Sequence, residues 1–350
     1  MNNFLEKYDV TLETVGPLFI GSGREISKKE YAKLDDETIA VIDTSKIYKL
    51  AEKYNLKNNL EDYILCDSSN DLFTWVMSEE DTKINKAKII KDSIKYKLTC
   101  KDWIEEREDR SALQILEFVR DPYWNPYIPG SSIKGMLRTA LIISHITNNN
   151  DLYKNIDPKK AWVIEDIALN DKRGLTNDNL KGLRVSDSEP LNNDVLTLVP
   201  AVELHIDGKE STLPVLRESI MPNTKIKFSI TIDTSICKIT KENILDAILT
   251  FSNQWNINFG NEFLKSVDVL HDNHIILGGG GGFLSKTVVY SILGKIQALN
   301  YVSKMFMNNK ALRDHKHDHD IELGLSPHIL KCTYYNNKIY KMGQCSINFE

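Results

Sequence analysis

Tyr127-Ile128-Pro129-Gly130-Ser131-Ser132-Ile133-Lys134-Gly135-Met136-Leu137-Arg138-Thr139-Ala140-Leu141 is the most informative stretch of this 350-residue chain. A Pro-Gly turn opens into two serines. Apolar residues then recur at Ile133, Met136, Leu137, Ala140 and Leu141, the spacing of a buried helical stripe. That spacing predicts a helix from Ile133 to Ile146, ended by Asn148-Asn149-Asn150-Asp151. The first amides of such a helix have no partner inside it and lie at the positive end of its dipole, a geometry that accepts a phosphate. Lys134 and Arg138 are four residues apart and share a face, while Gly135 leaves room for a backbone to approach. No acidic residue occurs in the stretch, although the chain carries a formal charge of −5. Two readings stay open: an anion site, or Ser131 and Ser132 capping an amphipathic helix whose cations are solvated.

Working outward, Lys7 to Val15 alternates like a half-buried strand, with Tyr8, Val10, Leu12 and Thr14 on one face. Gly16-Pro17 breaks it. Gly21-Ser22-Gly23-Arg24 then reads as a tight turn able to present amides and Arg24 to a phosphate. Ile39 to Asp43 is a second short apolar run, and Asp43 suits the cap of a helix carrying Ile47, Leu50, Ala51 and Tyr54. Residues 55–125 mix helical patches with polar stretches and read as an inserted subdomain. Leu196 to Ile206 and Lys225 to Asp233 predict strands, the second alternating Ile226, Phe228, Ile230 and Ile232. Thr240 starts a helix, and Leu330 to Ile347 is strand-like around an Asn336-Asn337 turn. This order of elements predicts an α+β fold of two units of split-βαβ type, residues 1–190 and 191–350.

Five glycines, Gly278, Gly279, Gly280, Gly281 and Gly282, lead through Phe283-Leu284-Ser285 to Lys286 and a helix from Thr287 to Phe306. Bare amides there could take a chain or ligand. A nucleotide-binding P-loop is excluded on register, because Ser285 stands where glycine must precede Lys286. The run is read as a backbone-binding loop.

No uninterrupted apolar stretch reaches the roughly eighteen residues of a membrane span. Met1 to Lys7 has neither a basic leader nor an apolar core. Cys66, Cys100, Cys237, Cys332 and Cys345 are scattered without CxxC spacing, which predicts reduced thiols rather than a disulfide frame or zinc site. A soluble cytoplasmic protein without cofactor or metal is expected. His315-Lys316-His317-Asp318-His319-Asp320 fits no metal signature and reads as a solvated loop. His145 sits among apolar residues and reads as a satisfied helix histidine, and no Ser-His-Asp or Cys-His set can be assembled.

Taken together, these motifs resemble the RAMP superfamily of CRISPR proteins. The resemblance rests on the Gly-Pro…Ile20-Gly21-Ser22-Gly23 opening, the Tyr127–Leu141 segment, Arg184-Val185-Ser186-Asp187-Ser188, and the glycine loop with Lys286-Thr287. Ser326-Pro327-His328-Ile329-Leu330-Lys331 and Met342-Gly343 complete it. Within the superfamily the chain is similar to the fifth Csm subunits of type III-A effector complexes. The resemblance implies ferredoxin-like (RRM-type) units with helical and loop insertions. It also implies a non-catalytic subunit capping a filament of repeated RAMP backbone subunits, beside the small helical subunit of the Csm complex. Such a subunit grips the 3′ part of the guide RNA (crRNA) and supports its maturation and the binding of single-stranded target RNA. By the same resemblance Gly21, Ser22, Gly23, Ser131, Ser132, Lys134, Arg138, Gly278–Gly282 and Lys286 become guide-backbone contacts, with Arg24 beside them.

In the backbone subunits of that superfamily an Asp after the first strand cleaves target RNA; here Ile20 to Glu25 has none. Two alternatives accompany the main reading. One is a RAMP-type endoribonuclease processing repeat RNA, with His145 or the 315–319 histidines as candidates. The other is an adaptor bringing a host ribonuclease to the guide, docked through the acidic segment Ser78 to Asp81.

Overall fold

The computed structural model describes residues 4–66, 72–102, 113–170, 178–308 and 317–350. The N-terminal strands are β1 (Leu5–Thr14), β2 (Gly21–Ile26), β3 (Tyr31–Lys33), β4 (Thr38–Ile42), β5 (Ile94–Thr99) and β6 (Gln114–Phe118). The later ones are β7 (Leu183–Val185), β8 (Leu196–His205), β9 (Glu210–Ile220), β10 (Lys225–Asp233), β11 (His274–Ile276), β12 (Ile329–Tyr335), β13 (Lys338–Lys341) and β14 (Gln344–Phe349). Helices α1 (Thr44–Lys53), α2 (Lys57–Leu65), α3 (Leu72–Met77) and α4 (Lys83–Asp92) precede α5 (Gly130–Asn148) and α6 (Ala161–Leu169). Helices α7 (Lys241–Asn258), α8 (Val289–Met307) and α9 (Asp320–Leu323) follow.

β1, α5, β7, β10, α7 and β14 form a βαββαβ series along the chain. Their strands pair in the order β14-β1-β10-β7, antiparallel throughout. This is a pair of interleaved split βαβ units, the ferredoxin-like arrangement, so the expected fold class is present. The alternating pattern explains it. Val10, Leu12, Ile226, Phe228, Ile230, Ile232 and Ile347 are all buried and share one core with the α5 stripe Ile133, Leu137 and Ala140. Each such side chain stabilises the fold by roughly 1.5–3 kcal/mol relative to an exposed one.

Everything else is inserted into this unit. A second sheet runs β2-β6-β9-β8-β5-β4-β3, with β12 on β8 and β13 on β12. β5–β8 and β6–β9 are its parallel pairs. Helices α1 to α4 close a smaller core of Ile42, Ile47, Leu60, Trp75 and Ile89. Asp43 caps α1 through Ser45 and Lys46, as its sequence suggests, and Asn336 and Asn337 both turn with positive φ between β12 and β13. Strands of both sheets come from either side of residue 190.

Candidate nucleic-acid interface

The N-terminus of α5 is set by the distant segment Val185 to Ser188. The Gly130 amide donates to Asp187 Oδ1 at 2.7 Å, the Ile128 amide donates to Ser188 Oγ at 2.9 Å, and the Ser188 amide returns a bond to Ile128 O at 2.9 Å. A Cβ on Gly130 would lie 2.3 Å from Val185 O, so only glycine lets the helix start this close to the strand. The expectation that the first amides stand unpaired is thereby corrected: the outermost is taken, and the helix dipole already faces a carboxylate.

The glycine loop is knitted to the β1–β2 connection. Gly279 N donates to Phe19 O at 3.1 Å, Leu277 N to Gly343 O at 2.8 Å, and Gly343 N to Pro17 O at 2.8 Å. Gly278 has φ +87° and a Cβ there would meet Phe19 O at 2.1 Å. Gly280 packs on Met342, Gly281 on Ile276 and Ser285, and Gly282 on Lys331. Much of the run therefore serves close backbone packing rather than display of bare amides.

Between these two constructions lies a cleft of about 480 Å³. It is walled by Ile20 and Gly21, by Ser131, Ser132, Gly135, Met136 and Thr139 of α5, and by Ile276 to Gly279 with Ser285 and Lys286. Three of the segments singled out in the sequence thus meet in one place. Among the described residues the lining holds no acid, and Lys286 is the one charged residue in it. That ammonium is exposed and has no ion pair or hydrogen bond among the described residues, and the Ser131 and Ser132 hydroxyls likewise have no protein partner there. No atom lies within 4 Å of a Cβ built on Gly135, so the floor of the cleft is open. A cation, two free hydroxyls and a small-residue floor suit a phosphodiester backbone and offer nothing that distinguishes bases.

Other sequence-selected residues lie elsewhere. Lys134 donates to Leu180 O at 2.7 Å, and burial holds its pKa below the ordinary value. Arg138 pairs with Asp178 at 2.9 Å and Glu165 at 3.5 Å, so neither cation is directed into the cleft. Ser22 to Arg24 form part of strand β2 rather than a tight turn, with Gly23 at φ +87°. Ser22 Oγ donates to Glu117 at 3.1 Å, and Arg24 pairs with Glu30 at 2.7 Å and Glu117 at 3.4 Å.

The histidine-rich segment also departs from a solvated loop. His317 and Asp320 are buried, and His328 joins them from β12's approach. Both His317 Nδ1 (3.0 Å) and His328 Nδ1 (2.5 Å) donate to the carboxylate, with Ser326 Oγ as a third donor. Burial alone would raise the Asp320 pKa; the three donors outweigh it and hold it low. The ligand-type atoms of His317, Asp320 and His328 lie within 4.8 Å of one another, but both carboxylate oxygens are already engaged. His319 is exposed, and His315 lies outside the described residues. His145 Nδ1 meets Tyr153 OH at 2.7 Å, and burial lowers its pKa.

Sequence reasoning missed Arg217. It is half-buried on β9, stands 5.9 Å from the Phe19 ring centroid, and has no ion pair among the described residues. Phe19 in turn packs 3.7 Å from where a Gly279 Cβ would stand, though neither Phe19 nor Arg217 itself lines the cleft. Its position in an alternating strand gave no signal beyond an interruption of polarity.

The profile of the RAMP superfamily matches residues 11–285. A CRISPR system Cms protein Csm5 of Streptococcus thermophilus is 30% identical over 309 residues, covering 85% of this chain and 84% of that protein. Csm5 of Mycobacterium tuberculosis is 26% identical over 380 residues, covering 99% of each. Among solved structures, a chain of the cryo-EM Csm-crRNA-target RNA ternary complex of a type III-A CRISPR-Cas system superposes with a TM-score of 0.65. It is 18% identical, covering 97% of this chain and all of that one. The crystal structure of T. onnurineus Csm5 gives 0.63 at 17% identity, covering 96% of this chain and 99% of the other. The chain belongs to the RAMP superfamily and, within it, to the family of the Csm5 proteins of CRISPR systems.

Proposed function

We propose that this protein is the RNA-gripping end subunit of a type III-A CRISPR (Csm) effector complex, holding the backbone of the 3′ part of the crRNA. The observation that carries this reading is the acid-free cleft where Gly21, Ser131, Ser132, Gly278, Gly279 and Lys286 converge. Its chemistry suits phosphates, and the Csm5 relatives and the RNA-containing complex supply the context. Contacts to single-stranded target RNA, to the repeated RAMP backbone subunit and to the small helical subunit belong to the same proposal.

The role is non-catalytic. His145, the base a repeat-processing nuclease would need, lies fourteen residues beyond Ser131 on α5, about 21 Å along the axis at 1.5 Å per residue. Glu25 and Asp35 are exposed outside the cleft, and Asp35 is occupied by the Glu37 amide. A host ribonuclease docking on Ser78 to Asp81 would meet a segment already paired within the chain. The buried Lys86 already bonds Ser78 and Glu79, and Lys83 pairs with Glu80.

The test is to purify the tagged protein from a host carrying the full CRISPR locus and sequence the bound RNA. Guide RNAs accompanied by the other effector subunits support the reading. Uniformly cut repeat fragments, or protein without RNA, would overturn it.

A further inference from the structure

A second surface beyond the cleft remains without a role. The turn Asp121-Pro122-Tyr123-Trp124-Asn125 leaves Tyr123 86% and Trp124 40% exposed. Trp124 adopts φ +69°, a region that bulky residues rarely enter. The turn is locked there. Asp121 Oδ1 accepts from the Tyr123 and Asn125 amides, both at 2.8 Å, and Trp124 N donates to Asp121 O at 3.0 Å. Just before it, Arg120 is anchored to the buried Glu218 at 3.0 Å. Two large aromatics are therefore held out into solvent by a preorganised frame, which lowers the entropic cost of binding something to them.

Beside them stands a cation that feels the carboxylates of Glu117 and Asp43 but pairs with neither. The Lys95 ammonium lies 3.1 Å from the Trp124 ring centroid and has no ion pair among the described residues. Burial and the neighbouring Arg24 guanidinium hold it below its ordinary pKa, so an incoming anion would be welcome there. An ammonium in no ion pair, set against an exposed ring, is a poor core for a protein–protein contact, where lysine is depleted. Aromatic faces next to a cation are instead the pattern of single-stranded nucleic-acid platforms.

We infer that the Tyr123–Trp124 turn is a base-stacking platform for single-stranded RNA: a nucleobase lies on Tyr123 and its neighbouring phosphate meets Lys95. This rests on the RNA-binding reading above and adds a second contact point to it. Trp124 and Ser131 are seven residues apart, at most about 25 Å of extended chain, so one RNA strand can engage both the turn and the cleft. Stacking on ring faces beside a positive charge is open to any base.

The test uses the assembled complex with 5-iodouridine placed singly along the guide and target RNA, irradiated and mapped by mass spectrometry. Adducts at Tyr123 or Trp124 from a defined nucleotide are expected. Tyr123→Ala should weaken RNA binding about tenfold, and Tyr123→Phe should restore it. RNA bound with no adduct at either residue and no effect of Tyr123→Ala would overturn the platform while leaving the cleft intact. Loss of a neighbouring subunit in Tyr123→Ala, with RNA affinity unchanged, would mean that a protein covers the turn and would also overturn it. Absence of RNA from the wild-type complex would overturn both readings.

Discussion

Asp187 Oδ1 accepts the Gly130 amide at 2.7 Å across 57 residues of sequence, so the helix bearing the chain's most distinctive motif is capped from outside itself. The two motifs are one construction. Asp187→Ala should cost about 1 kcal/mol of stability, the usual value of a lost helix cap, and Asp187→Asn should recover most of it. Chemical denaturation of the three proteins measures this.

Two glycines that look alike in sequence should behave oppositely. Gly278→Ala forces a Cβ to 2.1 Å from Phe19 O at φ +87°, which should cost roughly 3 kcal/mol or more. Gly135→Ala meets nothing within 4 Å and should stabilise α5 by up to about 1 kcal/mol while filling the cleft floor. Thermal unfolding combined with RNA binding separates them: Gly135→Ala should bind more weakly although it is no less stable.

Three cations in the two signature segments should likewise divide. Lys286→Ala should leave stability unchanged and reduce the salt dependence of RNA binding by about 0.7 in log–log slope, one single-strand phosphate contact, for every RNA sequence. Lys134→Ala and Arg138→Ala remove internal partners of Leu180, Asp178 and Glu165 and should register first in stability. Titrations at several salt concentrations provide the comparison.

His274 is buried and its pKa is pushed down to about 4, with Nδ1 accepting from the His271 amide at 3.1 Å and from Gln344 at 2.8 Å. Protonation would break both bonds. The unfolded chain takes up this proton near pH 6.5 and the folded one only near 4, so the stability is present above 6.5 and falls as pH drops between the two. The full loss is roughly 3 kcal/mol. Denaturation at pH 7 and pH 5 should show a smaller acid loss in His274→Asn than in the wild type.

How far the sequence could be read depended on the range of the interaction. Periodicity is local, so β1, β10, α5, the Asp43 cap and the Asn336-Asn337 turn were all legible. Pairing is not local: Val10 opposite Phe349 and Phe228 is set by backbone bonds that leave no mark on residue type. The same holds at the site. Spacing put Lys134 and Arg138 on one face, but Asp178, which claims Arg138, arrives only through the fold. His317 and Asp320 looked solvated because their neighbours are polar, and the partners that bury them, Ser326 and His328, follow a turn later in the chain.

The central claim is that the cleft beside Lys286 grips the 3′ part of the guide. Complexes carrying Lys286→Glu, recovered through a tag on a different subunit, test it by sequencing the guide 3′ ends. Guides trimmed further from the 3′ end than in wild type, with the variant protein as thermally stable as its parent, are the expected result. Unchanged 3′ ends in complexes that retain the variant subunit would contradict the claim.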